Sequence, residues 1–313
     1  MTNSGAHLVP MWREVLGLCK VKTNETVAVL TGPNSNPVYI EAATNAALDL
    51  GAKVFRLDMP PVRGAGGMGS DPTAYLGVTA LTGNQAAVEA MKRADLVIDL
   101  MLLLFSPEQH EILKSGTRML LAVEPPDVLA RILPSVDDKR RVKAAEARLK
   151  RARTMHATSD AGTDLRVSLE GRQAFPLVGM ADQKGTFCAL PDGEVAMSPI
   201  TGSAEGILVE PVCIEKKELG YVKEKITIEI KKGRLEKISG GPQADFLAHV
   251  LDTAGGTARN LAEFAIGTNP KCRLGVTLRE AKKTWGTAHV GIGDSKSVGG
   301  DVEGPLHFDI IFV

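Results

Sequence analysis

The sequence has no excess charge of either sign: 37 lysines and arginines stand against 37 aspartates and glutamates in 313 residues. Binding to nucleic acid or to an anionic membrane surface draws on a clustered excess of basic side chains, so neither partner is expected. Long apolar runs are missing too. No stretch approaches the roughly 20 residues that cross a bilayer, and Met1 to His7 carry no basic segment followed by an apolar one. A cytoplasmic protein with no membrane partner is expected. Cysteine is scarce: Cys19, Cys188, Cys213 and Cys272 stand singly, with no CxxC pair. That argues against a zinc ribbon or a disulfide scaffold and for reduced thiols. Repeats and low-complexity tails are absent.

What is present fills two domains. From Glu25, short β-branched runs alternate with longer helical patterns: Thr26 to Leu30, Pro37 to Leu50, Lys53 to Leu57, then Gln85 to Arg93, Ala94 to Leu100, Pro107 to Lys114 and Arg118 to Val123. Continuous apolar strands separated by helices predict a doubly wound α/β domain with a parallel sheet covered on both faces. A basic helix over Asp137 to Arg153 keeps Val142, Ala145 and Leu149 at helical spacing. It reads as a solvated surface helix closing a first domain over residues 1–155.

Beyond His156 the pattern turns to strands, over Asp164 to Leu169, Gly206 to Cys213, Glu224 to Lys231 and Arg234 to Ile238, with turn signals between them. A helix from Gln243 to about Leu251 follows. The second domain, 156–313, is therefore expected to be a β-rich α+β unit.

Candidate chemistry gathers in that second half. The glycine-rich run Arg63 to Ser70 follows Pro60-Pro61 and precedes Asp71-Pro72, not the strand-to-helix junction that a phosphate loop needs, and it reads as a surface or lid loop. In Leu306 to Ile310, His307 and Asp309 are two apart in a run of strand formers, so they share a face and are placed to grip one metal ion. The alternative is a histidine hydrogen-bonded to a carboxylate. His289 sits in a small, apolar, glycine-flanked strand. Glu194 follows a Pro-Asp-Gly turn, and Glu263 lies inside Leu261 to Ile266, where an unpaired carboxylate is costly to bury. Each glutamate is read as holding a metal or a cationic partner.

In order and spacing, Leu190 to Val195, Asn260 to Pro270, Glu280 to Gly293 and Leu306 to Asp309 resemble the metal-binding motifs of the aminopeptidase T family of metallo-aminopeptidases. The resemblance implies two divalent ions (zinc, cobalt or manganese) held by Glu194, Glu263, His289, His307 and Asp309. It implies a bridging water, acidified by the metals, that attacks an amide or peptide bond. Glu194 and Glu263 are then also the candidate proton carriers. It further implies a homodimer acting on a small molecule or a short peptide. Where that family has a tyrosine, seven residues after the equivalent of His289, this chain has Lys296. Lys296 is either a contact for a substrate carboxylate or oxyanion, or an exposed loop lysine.

The N-terminal blocks Thr79 to Asn84, Leu104 to Gln109, Ile112 to Thr117 and Leu121 to Arg131 resemble a relative of that family, 2,5-dihydroxypyridine dioxygenase, a ferrous ring-cleaving enzyme. That branch implies one iron(II) held by two histidines and an aspartate. The position of its first histidine is Glu263 here, and it lacks counterparts of Glu194 and His289. Because this chain keeps all five ligands, a dinuclear metallo-hydrolase is the leading expectation. A ferrous dioxygenase acting on a dihydroxypyridine is the alternative, and a non-catalytic metal- or ligand-binding relative comes third.

Overall fold

The computed structural model describes residues 5–62 and 77–313. The glycine-rich run Arg63 to Ser70 lies outside the described residues. The chain divides into two compact units, one of Met1–Lys139 with Leu177–Asp192, the other of Arg140–Pro176 with Gly193–Val313.

From the N-terminus run α1 (Val9–Leu18), β1 (Thr26–Thr31), α2 (Pro37–Asp49), β2 (Lys53–Asp58), α3 (Gln85–Lys92), β3 (Leu96–Asp99), α4 (Pro107–Lys114), β4 (Arg118–Ala122), α5 (Pro126–Arg131) and α6 (Val136–Leu149). Strands β5 (Thr154–Thr158), β6 (Asp164–Ser168), β7 (Phe175–Leu177), β8 (Phe187–Leu190), β9 (Glu194–Met197), β10 (Glu205–Val209), β11 (Cys213–Ile214), β12 (Gly220–Tyr221), β13 (Thr227–Lys231) and β14 (Arg234–Ser239) follow. The chain closes with α7 (Pro242–Ala254), β15 (Leu261–Gly267), α8 (Leu278–Lys283), β16 (Ala288–Gly293) and β17 (His307–Phe312).

In the first unit five strands are ordered β2-β1-β3-β4-β8, and every pairing is parallel. The order reverses between β1 and β3, so right-handed crossovers place the helices on both faces of the sheet. The helices start where the sequence offers a cap and a proline: Asn36 accepts from Val38 N ahead of Pro37, and Ser106 accepts from Gln109 N ahead of Pro107. At the end of β3 the buried Asp99 carboxylate accepts from the backbone amides of Met101, Leu102 and Leu103 at 2.9, 2.9 and 2.7 Å. It thereby satisfies a turn that no helix or strand partner serves.

The second unit holds an antiparallel sheet ordered β14-β13-β10-β6-β5 and belongs mostly to a larger sheet ordered β12-β11-β17-β16-β15-β9-β7. At the centre of the latter, antiparallel register aligns Phe264 with Val290 and Val290 with Ile310, giving one apolar row. The row on the opposite face is Glu263, Gly291 and Asp309. Both faces are buried.

The α/β architecture with a parallel sheet followed by a β-rich unit is as the sequence predicts. The contacts divide the chain otherwise than a single cut at residue 155. The basic helix α6 straddles one boundary, and residues 177–192 return to the first unit, where β8 pairs with β4. Among the described residues no helix is long and apolar enough to cross a membrane.

Candidate metal centre

Five side chains singled out by the sequence meet on one face of the larger sheet in the second unit. Glu263 and Asp309 flank Gly291 across β15, β16 and β17; His289 and His307 are each two residues from members of that row, and Glu194 pairs with Gly267 on the same face. All five are buried.

Gly291 lets them close in on one another. A Cβ there would lie 2.7 Å from the Cβ of Glu263 and 3.0 Å from the His307 ring, inside the distance that real side chains keep. The close approach of Glu263 and His307 over β16 therefore depends on this residue having no side chain.

His307 Nδ1 is 2.7 Å from the backbone carbonyl of Asp294. A carbonyl only accepts, so Nδ1 carries the proton and the ring turns Nε2 inward. There Nε2 lies 3.4 Å from Oε2 of Glu263 and 3.6 Å from Oδ1 of Asp309. Glu263, His307 and Asp309 offer three ligand atoms within 4.8 Å of one another. His289 Nε2 lies alongside, 3.6 Å from Oε1 of Glu263, 3.7 Å from Oε2 of Glu194 and 3.8 Å from Oδ2 of Asp309.

Several of these atoms lack what burial demands. Glu194 Oε2, Asp309 Oδ1 and both ring nitrogens of His289 are buried without a hydrogen-bond partner among the described residues. Unpartnered carboxylate oxygens and an imidazole nitrogen gathered in one buried cluster are what a cation site presents.

The electrostatics agree. In the metal-free protein, burial works against a charged imidazole, yet the carboxylates of Asp309 and Glu263 outweigh it and lift His307 from 6.5 to about 10. His289 is raised against the same burial by Asp309, Glu263 and Glu194. Burial pushes Glu263 up, but the neighbouring rings of His289 and His307 prevail and hold it at about 2. Asp309 is likewise held well below the usual carboxylate range, burial being outweighed by Lys282 and the two histidines. Without a metal, protons serve as the counter-charge.

Two residues that sequence reasoning passed over complete the cluster. Lys282 and Lys283 end α8, a short helix capped by Thr277, whose side chain accepts from Glu280 N. Both are buried, Lys282 at 7 % exposure and Lys283 at 3 %. Lys282 Nζ stands 2.6 Å from Oδ2 of Asp309 and 2.7 Å from Oε2 of Glu215, and Lys283 Nζ is ion-paired with Oε1 of Glu194. Lysine is rarely buried without a carboxylate partner. The one available signal was adjacency: the Lys-Lys pair lies within the block that leads into His289.

Lys296 falls outside this cluster. It lies in the short turn Lys296–Val298, its side chain is 57 % exposed, and its ammonium is 2.7 Å from Oε2 of Glu303. The role at a substrate oxyanion is not supported by this placement, because an exposed, paired ammonium is screened by water.

A parallel-sheet unit precedes a β-rich unit whose sheet gathers histidines and carboxylates on one face, a donor set that could hold a metal ion. More particularly, the chain belongs to the 2,5-dihydroxypyridine 5,6-dioxygenase family, whose model matches residues 7–312. A 2,5-dihydroxypyridine 5,6-dioxygenase of Pseudomonas putida KT2440 is 41 % identical, the match covering 99 % of this chain and 92 % of that protein. The solved structure of 2,5-dihydroxypyridine dioxygenase from Pseudomonas putida KT2440 superposes with a TM-score of 0.93 at 40 % identity, covering 99 % of this chain and 92 % of that one. AmpT from Thermus thermophilus shares the fold, with a TM-score of 0.56 at 16 % identity over 95 % of this chain and 92 % of its own.

These matches overturn the leading expectation from the sequence. The chain is not a hydrolase of the aminopeptidase T type: its whole length matches the dioxygenase family, and AmpT supports the fold alone. The pair of zinc, cobalt or manganese ions falls with it, since a dioxygenase implies iron. Five retained ligand residues outweighed the N-terminal resemblance in that expectation, although residue type alone does not fix how many cations a cluster binds.

Proposed function

We propose that this protein is an iron(II)-dependent dioxygenase that opens the ring of a 2,5-dihydroxypyridine between C5 and C6. One observation carries the reading: 41 % identity to a protein of that activity along 99 % of the chain. The three-donor group of Glu263, His307 and Asp309 supplies one imidazole and two carboxylates where the ferrous branch uses two histidines and one carboxylate, and His289, with Nε2 3.6 Å from Oε1 of Glu263, is the second imidazole at hand.

The residues present fit such an ion by their own chemistry. Glu263, His307 and Asp309 would hold it, and Gly291, having no side chain, lets Glu263 and His307 stand this close together. When bound, iron supplies the redox chemistry with dioxygen that amino-acid side chains lack. The Asp294 carbonyl fixes the His307 tautomer so that Nε2 faces Glu263 and Asp309. Lys282 engages Oδ2 of Asp309, and Oδ1 has no hydrogen bond among the described residues. The surrounding burial excludes water from these donors, which strengthens each of their interactions.

The test is oxygen uptake by iron-loaded protein given 2,5-dihydroxypyridine. Both atoms of labelled dioxygen are expected in the ring-opened product, C5 becoming a carboxylate and C6 an N-formyl group. Absence of oxygen uptake by protein shown to carry iron contradicts the proposal.

A further inference from the structure

The donors of the centre fall into two neighbouring groups. In the first, Nε2 of His307 lies 3.4 Å from Oε2 of Glu263 and 3.6 Å from Oδ1 of Asp309. In the second, Nε2 of His289 lies between Oε1 of Glu263, Oε2 of Glu194 and Oδ2 of Asp309, at 3.6, 3.7 and 3.8 Å. Both ammonium groups bear on this second group. Lys283 is ion-paired with Glu194, and Lys282 lies 2.6 Å from Oδ2 of Asp309.

We infer that the ammonium of Lys283, with that of Lys282 beside it, takes the charge position a second metal ion would fill, and so limits the centre to one divalent ion. The inference rests on the one-iron reading above and supplies its physical cause. Glu194, Glu215, Glu263 and Asp309 bring four negative charges into a buried space. Two lysines and one divalent ion balance them, with both imidazoles neutral as ligands or neighbours. A second divalent ion would leave an excess of two positive charges where solvent cannot screen them, which is strongly disfavoured. The same five donors without the lysines would lack two positive charges and would accept the second ion. The chemistry of the lysine pair, rather than loss of a ligand, then separates a mononuclear centre from a dinuclear one.

Cobalt(II) titration of metal-free protein, read by calorimetry and by the visible absorbance of the bound ion, tests this. The wild type is expected to bind one cobalt per chain. Lys283→Met, which keeps length and removes charge, is expected to bind two, the second more weakly. Lys283→Met combined with Glu194→Gln removes one charge of each sign and is expected to fold and to return to one. Two cobalt ions on the wild type or on the double variant overturn the inference, as does a folded Lys283→Met protein that binds only one. Where Lys283→Met does not fold, Lys283→Gln, which removes the charge and keeps a polar group beside Glu194, is expected to bind two, and a folded Lys283→Gln protein that binds one overturns the inference. Oxygen uptake is measured separately: its failure would remove the dioxygenase reading, and the cobalt counts would still judge the role of Lys283.

Discussion

Gly291 shows how narrow the tolerance of the centre is. The Cβ of an alanine there would approach Glu263 to 2.7 Å and His307 to 3.0 Å, and both neighbours are ligand candidates on the rigid middle strands of a sheet. Gly291→Ala is expected to weaken metal affinity by at least about tenfold, equal to roughly 1.4 kcal/mol, while the circular dichroism spectrum is retained. Calorimetric titration with cobalt(II) measures it, and unchanged affinity would place the ion elsewhere. His307 sets a second expectation. In the metal-free protein its folded pKa is raised from 6.5 to about 10, so the folded state holds the proton more tightly than the unfolded chain does. Its contribution to stability is therefore complete below about 6.5 and is lost as pH climbs through about 10. The melting temperature of metal-free protein should fall between those values. A ligated Nε2 carries no proton, so cobalt-saturated protein should lose this dependence. Identical slopes for the two forms, measured by differential scanning fluorimetry, would show that His307 does not bind the metal.

At the scale of elements, most of the fold was legible because its signals are local. Asn36-Pro37 and Ser106-Pro107 announce their helices by caps, and the apolar runs at Thr26 and Arg118 announce buried parallel strands. The strand Phe187–Leu190 gave no such signal. Its four apolar residues have no period, and its partner β4 lies far back in the chain, so only tertiary pairing assigns it to the first unit. The turn after β3 was equally silent, since one carboxylate rather than a motif organises it. Asp99→Asn exchanges acceptor oxygen for a donor group against three backbone amides. A loss of about 1–3 kcal/mol in urea unfolding is expected, as for a buried donor left unsatisfied. Stability equal to wild type would mean that the turn is held by other contacts.

Across the whole molecule the sequence revealed which residues gather but not what they do together. His307 and Asp309 were legible as a pair because alternation along a strand puts them on one face, whereas Glu194, Glu263 and His289 joined them as a set only through the resemblance to the aminopeptidase T motifs. The cations that share their burial were not, since Lys282 and Lys283 look like surface residues until a fold encloses them. Lys296 illustrates the converse: singled out because it stands where the resembled family has a tyrosine, it is exposed in the structure and paired with Glu303. Function followed the same division. The cluster alone was compatible with hydrolysis or oxygenation, and it is the match along residues 7–312 that places the chain in a dioxygenase family.

Under the proposed function, one ferrous ion on this chain supports oxygen-dependent opening of a dihydroxypyridine ring. An oxygen electrode, with the iron content of the same sample determined, tests it most directly. The account predicts one iron per chain and one dioxygen consumed for each 2,5-dihydroxypyridine lost, with both abolished by His307→Ala. Iron-loaded protein that consumes no oxygen with this substrate, or zinc-loaded protein that hydrolyses an amide, would contradict it.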